Sequence, residues 1–206
     1  MLKTRIAVLV SGGGTNLQAI IDAQRAGQIK SGSIELVISN KAGAYALERA
    51  ANAGIETSVI TRKECGGQEN FEKEIIRTLE EHDIDLIVLA GFLSILSGDF
   101  TSRYPERIIN VHPSLIPSFC GKGYYGLKVH EEALKYGVKV TGATLHFVNE
   151  IPDGGRIIAQ KAVYILPDDT PETLQRRVME QAEWVILPEA VETVSAEIAL
   201  ARQESQ

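Results

Sequence analysis

A chain of 206 residues with 44% apolar composition can bury one core and reads as a single domain, 1–206. A formal net charge of −6, an isoelectric point near 5.3 and the absence of any Lys/Arg stripe disfavour a nucleic-acid partner. The N-terminal apolar run, Ile6 to Val10, is too short for a signal segment or membrane span, and the widely spaced Cys65 and Cys120 read as free thiols, so a cytoplasmic protein with no disulfide and no metal site is expected.

Short aliphatic runs at 5–10, 34–39, 57–60, 85–90 and 107–112 predict strands that are apolar on both faces, as in a covered parallel sheet. Helical patterns lie between them: Leu17, Ile20 and Ile21 share a face before Gly27, and Phe71, Ile75 and Leu79 recur every four residues. This alternation predicts an α/β fold, a Rossmann-like open and mostly parallel twisted sheet with helices on both faces. After His112, the stretch PSLIPSFCGKGYYG (113–126) reads as a long loop and 127–136 as a helix. The runs 141–148 and 156–165 flank a turn at Asp153-Gly154-Gly155 and predict an antiparallel addition to the sheet. Thr170 as N-cap and Pro171 at the first position open a last helix bearing Leu174, Val178, Ala182 and Val185, which Pro188 should kink or interrupt.

Two stretches carry chemistry. SGGGTN (11–16) joins the first strand to the first helix, where glycines permit close approach and the helix start offers free N–H groups to an anion. It lacks the Gly-Lys-Ser/Thr ending of a Walker A loop, and Leu17 replaces the last glycine of a dinucleotide fingerprint, so a single phosphate fits best. A plain glycine turn with Thr15 or Asn16 capping the helix is the alternative. In NVHPSLIP (110–117), Asn110 and His112 are two apart on a strand and share a face at the edge where open α/β sheets bind ligands. An amide donor beside an imidazole suits acyl transfer. Asp153 is the natural third member, its carboxylate favouring the imidazolium and fixing its tautomer, though an Asp-Gly turn alone needs no such role. Ser114 lacks a nucleophile elbow and is discounted. His146 reads as a buried, hydrogen-bonded histidine, His82 as a solvated helix end, and His130, opening a helix beside the long loop, as a surface residue, with facing a ligand as the alternative.

The sequence resembles the folate-dependent glycinamide ribonucleotide formyltransferases of purine synthesis. The stretches VLVSGGGTNLQAIIDA, SNKAGAYALERAANAGI, DLIVLAGFLSILS, RIINVHPSLIPSF, VTGATLHFV and DGGRIIAQKAV carry the likeness along nearly the whole chain. The Asn-x-His-Pro-Ser-Leu-x-Pro segment is shared with methionyl-tRNA formyltransferases and formyltetrahydrofolate deformylases. The resemblance implies catalysis by Asn110, His112 and Asp153. It implies a phosphate and ribonucleotide site at Gly14, Thr15, Asn16 and Arg107, with Glu183, or alternatively Glu180, as an acidic contact. It places the folate at Leu93, Ser94, Ile95 and Leu96, at Asn110, and at Asn149, Glu150, Ile151, Pro152 and Asp153. Gln68 and Ser94 stand where many members have arginines, EQAEWVILP is one residue longer than the commonest form, and the 113–126 loop is longer than in many members.

The reaction so implied is formyl transfer from 10-formyltetrahydrofolate to the amine of phosphoribosylglycinamide. The protein acting would be a monomer or homodimer with small-molecule substrates and neither nucleic acid nor membrane as partner. Deformylation of the same folate by water, or a non-catalytic phosphate-binding module using only the glycine loop, are the competing readings.

Overall fold

The computed structural model describes residues 3–204. Seven strands form one sheet: β1 (Thr4–Val10), β2 (Gly32–Ser39), β3 (Glu56–Val59), β4 (Leu86–Leu89), β5 (Ile108–His112), β6 (Val140–Phe147) and β7 (Ile157–Tyr164), in the order β3-β2-β1-β4-β5-β6-β7. The first five run parallel. β6 is antiparallel to β5, and β7 to β6, as the two late runs predicted. The chain winds outward from β1 through β2 and β3, then crosses to β4 and β5, so the crevice between the carboxyl ends of β1 and β4 is the topological switch point.

The period of two along each strand divides the core. Ile6, Val8 and Val10 of β1 face one hydrophobic layer, closed by α1 (Thr15–Arg25), α2 (Tyr45–Asn52), α6 (Pro171–Val178) and α7 (Trp184–Glu204). Ala7 and Leu9 face the other, closed by α3 (Gln68–Glu81) and α4 (Gly98–Arg103). The run at 57–60 departs from expectation: β3 is a sheet edge, and Glu56, Thr57 and Val59 are exposed. The 127–136 helix forms as α5 (Leu127–Tyr136). Thr170 caps α6, its hydroxyl accepting from Thr173 N–H at 3.3 Å, with Pro171 at the first position.

Pro188 does not interrupt its helix. α7 continues through it, and the irregularity lies just upstream, where Met179–Glu183 form a π turn joining α6 to α7. A widened turn loosens the backbone near the ring, which in a regular helix clashes with the carbonyl four residues back, here that of Trp184.

Candidate active site

The glycine loop lies where β1 ends. Gly14 is the N-cap of α1 at φ 71°, and no side chain caps that helix, so neither Thr15 nor Asn16 takes the capping role and the first-turn N–H groups stay open. A Cβ at Gly14 would lie 2.6 Å from Ala46 Cβ, so both the positive φ and the close approach of α2 require glycine. Asn16 Nδ2 donates to Glu183 Oε2 at 2.7 Å, while its Oδ1 is buried without a partner among the described residues. Burial pushes the Glu183 carboxyl up to about 7, against the opposing pull of the Asn16 hydrogen bond. Glu183 lines the cavity described below, whereas Glu180 is exposed and paired with Arg176 at 2.8 Å.

Asn110 and His112 continue the row of Ile108 on one face of β5. Directly across the antiparallel pair, Asn110 meets His146 and His112 meets Thr144. His146 Nδ1 lies 2.8 Å from the Phe147 carbonyl, which only an N–H can face, and in the neutral ring Nε2 then accepts from Asn110 Nδ2 at 3.2 Å. The Asn110 amide is thereby fixed with a second N–H free. His146 is buried and hydrogen-bonded as expected, and it also holds a site residue, a role that one histidine in a strand pattern does not reveal.

The β6–β7 connection leaves β6 at Phe147, opposite Ile109, and folds back so that Asp153 lies over the histidines. Asp153 adopts φ 57°, and Gly155 is needed behind it, since a Cβ there would meet the Phe147 carbonyl oxygen at 1.7 Å. Asp153 Oδ2 is 3.5 Å from His112 Nδ1 and accepts from Gly121 N–H at 2.8 Å, while Oδ1 is 3.6 Å from His146 Nε2. Burial pushes this carboxyl up, yet His146, His112 and the Gly121 N–H together outweigh it and hold it below the ordinary aspartate value.

For His112 the balance runs the other way. Asp153 favours the imidazolium as expected, and the Phe119 carbonyl adds to it, but burial depresses the imidazole more than the two raise it, so the resting ring is held below the ordinary histidine value. Its Nε2 donates to the Phe119 carbonyl at 2.9 Å, which leaves Nδ1 as the nitrogen facing Asp153. The long 113–126 loop therefore grips both residues through its backbone, at Phe119 and Gly121. Thr144 anchors it, donating to the Ser114 carbonyl at 2.7 Å and accepting from Ile116 N–H at 3.0 Å.

One cavity of about 520 Å³ joins these groups, lined by Asn16, Glu183, Asn110, His112 and Asp153, by Leu93, Ser94, Ile95 and Pro152, and by the Gly121–Gly126 part of the loop. Leu96 is instead buried in the core beneath. Asn149 Oδ1 accepts from Ile151 N–H, and both residues, with Glu150, are outside the cavity lining. Gln68 Nε2 donates to the Ile95 carbonyl at 3.0 Å, supporting the 93–96 stretch. Arg107 is not brought to the site. It is exposed at the start of β5, five residues and roughly 16 Å of strand from His112, because the site lies toward the other end.

His130 corrects the surface reading. It is fully buried beside the cavity, neither ring nitrogen has a partner among the described residues, and burial and the nearby His112 push it down to about 4. A helix-period check would have found it, because Val129, His130 and Ala133 form the buried stripe of α5. His82 closes α3 half-buried, with Nδ1 on the Thr78 carbonyl and Nε2 3.2 Å from Glu56.

The chain is similar to known proteins. The chain is 45% identical over 184 residues to the phosphoribosylglycinamide formyltransferase of Haemophilus influenzae, covering 89% of this chain and 84% of that one. It is 46% identical over 194 residues to the human trifunctional purine biosynthetic protein adenosine-3, covering 94% of this chain but 18% of that protein, so it spans less than a fifth of that relative. The crystal structure of glycinamide ribonucleotide transformylase 1 from Symbiobacterium toebii superposes with a TM-score of 0.88 at 41% identity, covering 95% of this chain and 89% of that one. Residues 4–191 match the family described as formyl transferase, and with a parallel sheet whose fifth strand presents an amide and an imidazole to one cavity, the chain belongs to that family.

Proposed function

We propose that this chain transfers the formyl group of 10-formyltetrahydrofolate to the primary amine of phosphoribosylglycinamide, in the cytoplasm, as a monomer or homodimer. The observation that carries this reading is the cavity that joins Asn16, in the first turn of α1, to Asn110, His112 and Asp153. The start of α1, with Gly14, Thr15 and Asn16, takes the phosphate, and Glu183 accepts from the ribose hydroxyls. The apolar surface of Leu93, Ile95 and Pro152 takes the folate ring system, with Ser94 beside it.

As the amine attacks the formyl carbon, the free N–H of Asn110 donates to the developing oxyanion. His112, unprotonated at Nδ1 at rest, takes a proton from the attacking nitrogen there. The imidazolium so formed is stabilised by Asp153, whose carboxylate is already ionised, and by the Phe119 carbonyl at Nε2. When the bond from carbon to the folate nitrogen breaks, the same proton passes to that leaving nitrogen, which returns His112 to its resting form. No covalent bond to the protein forms.

Hydrolysis of the formyl-folate needs only water in place of the amine and is the second reading. Incubation with formyl-folate, with and without phosphoribosylglycinamide, separates them. Tetrahydrofolate should form only when the amine is present, and equal production without it would overturn the transferase reading. A module that merely binds phosphate leaves the Asn110, His112 and Asp153 geometry without a task.

A further inference from the structure

We propose that Arg49 of α2 is a positioning residue for the phosphate loop, holding the Gly13–Gly14 peptide so that its N–H, and not its carbonyl, faces the anion. The inference rests on the phosphate-loop reading above and deepens it. α2 reaches the loop through two backbone carbonyls. Ala46 N–H donates to the Gly12 carbonyl at 3.0 Å, and Arg49 Nε donates to the Gly13 carbonyl at 2.8 Å. In a trans peptide the C=O of one residue and the N–H of the next point in opposite directions. Drawing the Gly12 and Gly13 carbonyls toward α2 therefore turns the Gly13 and Gly14 N–H groups away from it, toward the open side of the loop.

Glycine makes this hold necessary. The peptide between Gly13 and Gly14 is flanked by two residues without Cβ, one of them at φ 71°, so it can rotate at little steric cost. A flipped peptide would aim the Gly13 carbonyl dipole at the bound anion. The guanidinium is itself fixed: its Nη1 donates to Gln18 Oε1 of α1 at 3.1 Å, and its Cζ lies 4.9 Å from the centre of the Tyr45 ring. Among the described residues no carboxylate lies within ion-pair range of it. The fork thus bridges the loop and α1, a geometry lysine cannot reproduce.

The test compares wild type with Arg49→Met and Arg49→Lys. In the transfer assay, Arg49→Met should raise KM for phosphoribosylglycinamide by about ten-fold or more, with kcat and the folate KM held within about two-fold. With ribosylglycinamide, which lacks the phosphate, kcat/KM should be the same for both enzymes. Calorimetric binding of ribose 5-phosphate should weaken by a factor similar to the KM change. Arg49→Lys should stay closer to Arg49→Met than to wild type. Equal losses with both amines, unchanged ribose 5-phosphate binding, or full recovery with lysine would each overturn the inference. Wild type that binds ribose 5-phosphate but transfers no formyl group would overturn the proposed function and leave Arg49 to be judged by binding. Failure of wild type to bind ribose 5-phosphate would overturn the phosphate loop and Arg49's role together.

Discussion

Glu183→Gln should stabilise the protein at alkaline pH. Glu183 is buried at the end of the π turn, with one hydrogen bond, from Asn16, and its carboxyl is raised from 4.5 to about 7 by burial. The folded state therefore binds this proton more tightly than the unfolded chain does. Between about pH 4.5 and 7 the folded form holds more protons, so stability falls as pH rises through that window and stays reduced above it. At about 1.4 kcal/mol per pH unit, the burden reaches up to about 3 kcal/mol above pH 7. Glutamine keeps the shape, and its Oε1 can still accept from Asn16 Nδ2, but it carries no charge to desolvate. For a chain of this length the gain corresponds to a melting temperature higher by about 6–10 °C at about pH 8.5. Thermal melts of both proteins from about pH 5 to pH 8.5 would show the gap opening with pH. A gap that is the same at both ends, or a variant that melts lower than wild type at the alkaline end, would refute the reasoning. The same variant should bind the amine substrate more weakly, by about ten-fold in KM, because an ionised acceptor for the ribose hydroxyls is gone.

Asn110→Ala and His112→Ala should each lower turnover by about 10² to 10³ with little change in melting temperature, and near-normal turnover in both would remove them from the mechanism. Because His112 is depressed below its ordinary value, wild-type kcat should fall on the acid side only below about pH 6.5. Asp153→Asn removes a charge that raises His112, so the acid limb should move to lower pH while turnover falls; movement to higher pH would contradict the assigned pairing. Gly155→Ala would place a methyl 1.7 Å from the Phe147 carbonyl oxygen, and should cost about 1–3 kcal/mol in a denaturant melt and lower turnover with it, whereas wild-type values would show that the Asp153 turn can move freely.

The parallel half of the fold was legible because it is written in local pattern. Aliphatic runs with alternating faces, such as Ile6 to Val10, specify both a strand and the two layers it separates. The spacing of Asn110 and His112 placed both on one face, and that face does line the cavity. What local pattern could not carry is partnership across the sheet. That His146 would stand opposite Asn110 depends on the β5–β6 register, and that Asp153 would reach both histidines depends on a connection folding back over the sheet. The His112 balance shows the same limit: the carboxylate that favours the imidazolium was visible in the sequence, while the burial that outweighs it belongs to the assembled structure. Arg107, which the resemblance implied for the ribonucleotide site, stands exposed ahead of β5 and outside the cavity lining.

Glu180 and Glu183 have different outlooks because the helix between α6 and α7 is irregular. In an α-helix, residues three apart lie on nearly the same face, so both acids would compete for the same outlook. Met179–Glu183 form a π turn between α6 and α7. A π turn is wider than an α turn, so residues three apart diverge around it. Glu180 then swings to solvent and pairs with Arg176, while Glu183 turns inward to Asn16 at the start of α1. The same widened turn lies ahead of Pro188, so one local irregularity both accommodates the proline and sets a carboxylate beside the glycine loop. Deleting Gln181 should restore a regular helix, rotate Glu183 out of the cavity and cost the affinity for the amine substrate that depends on it.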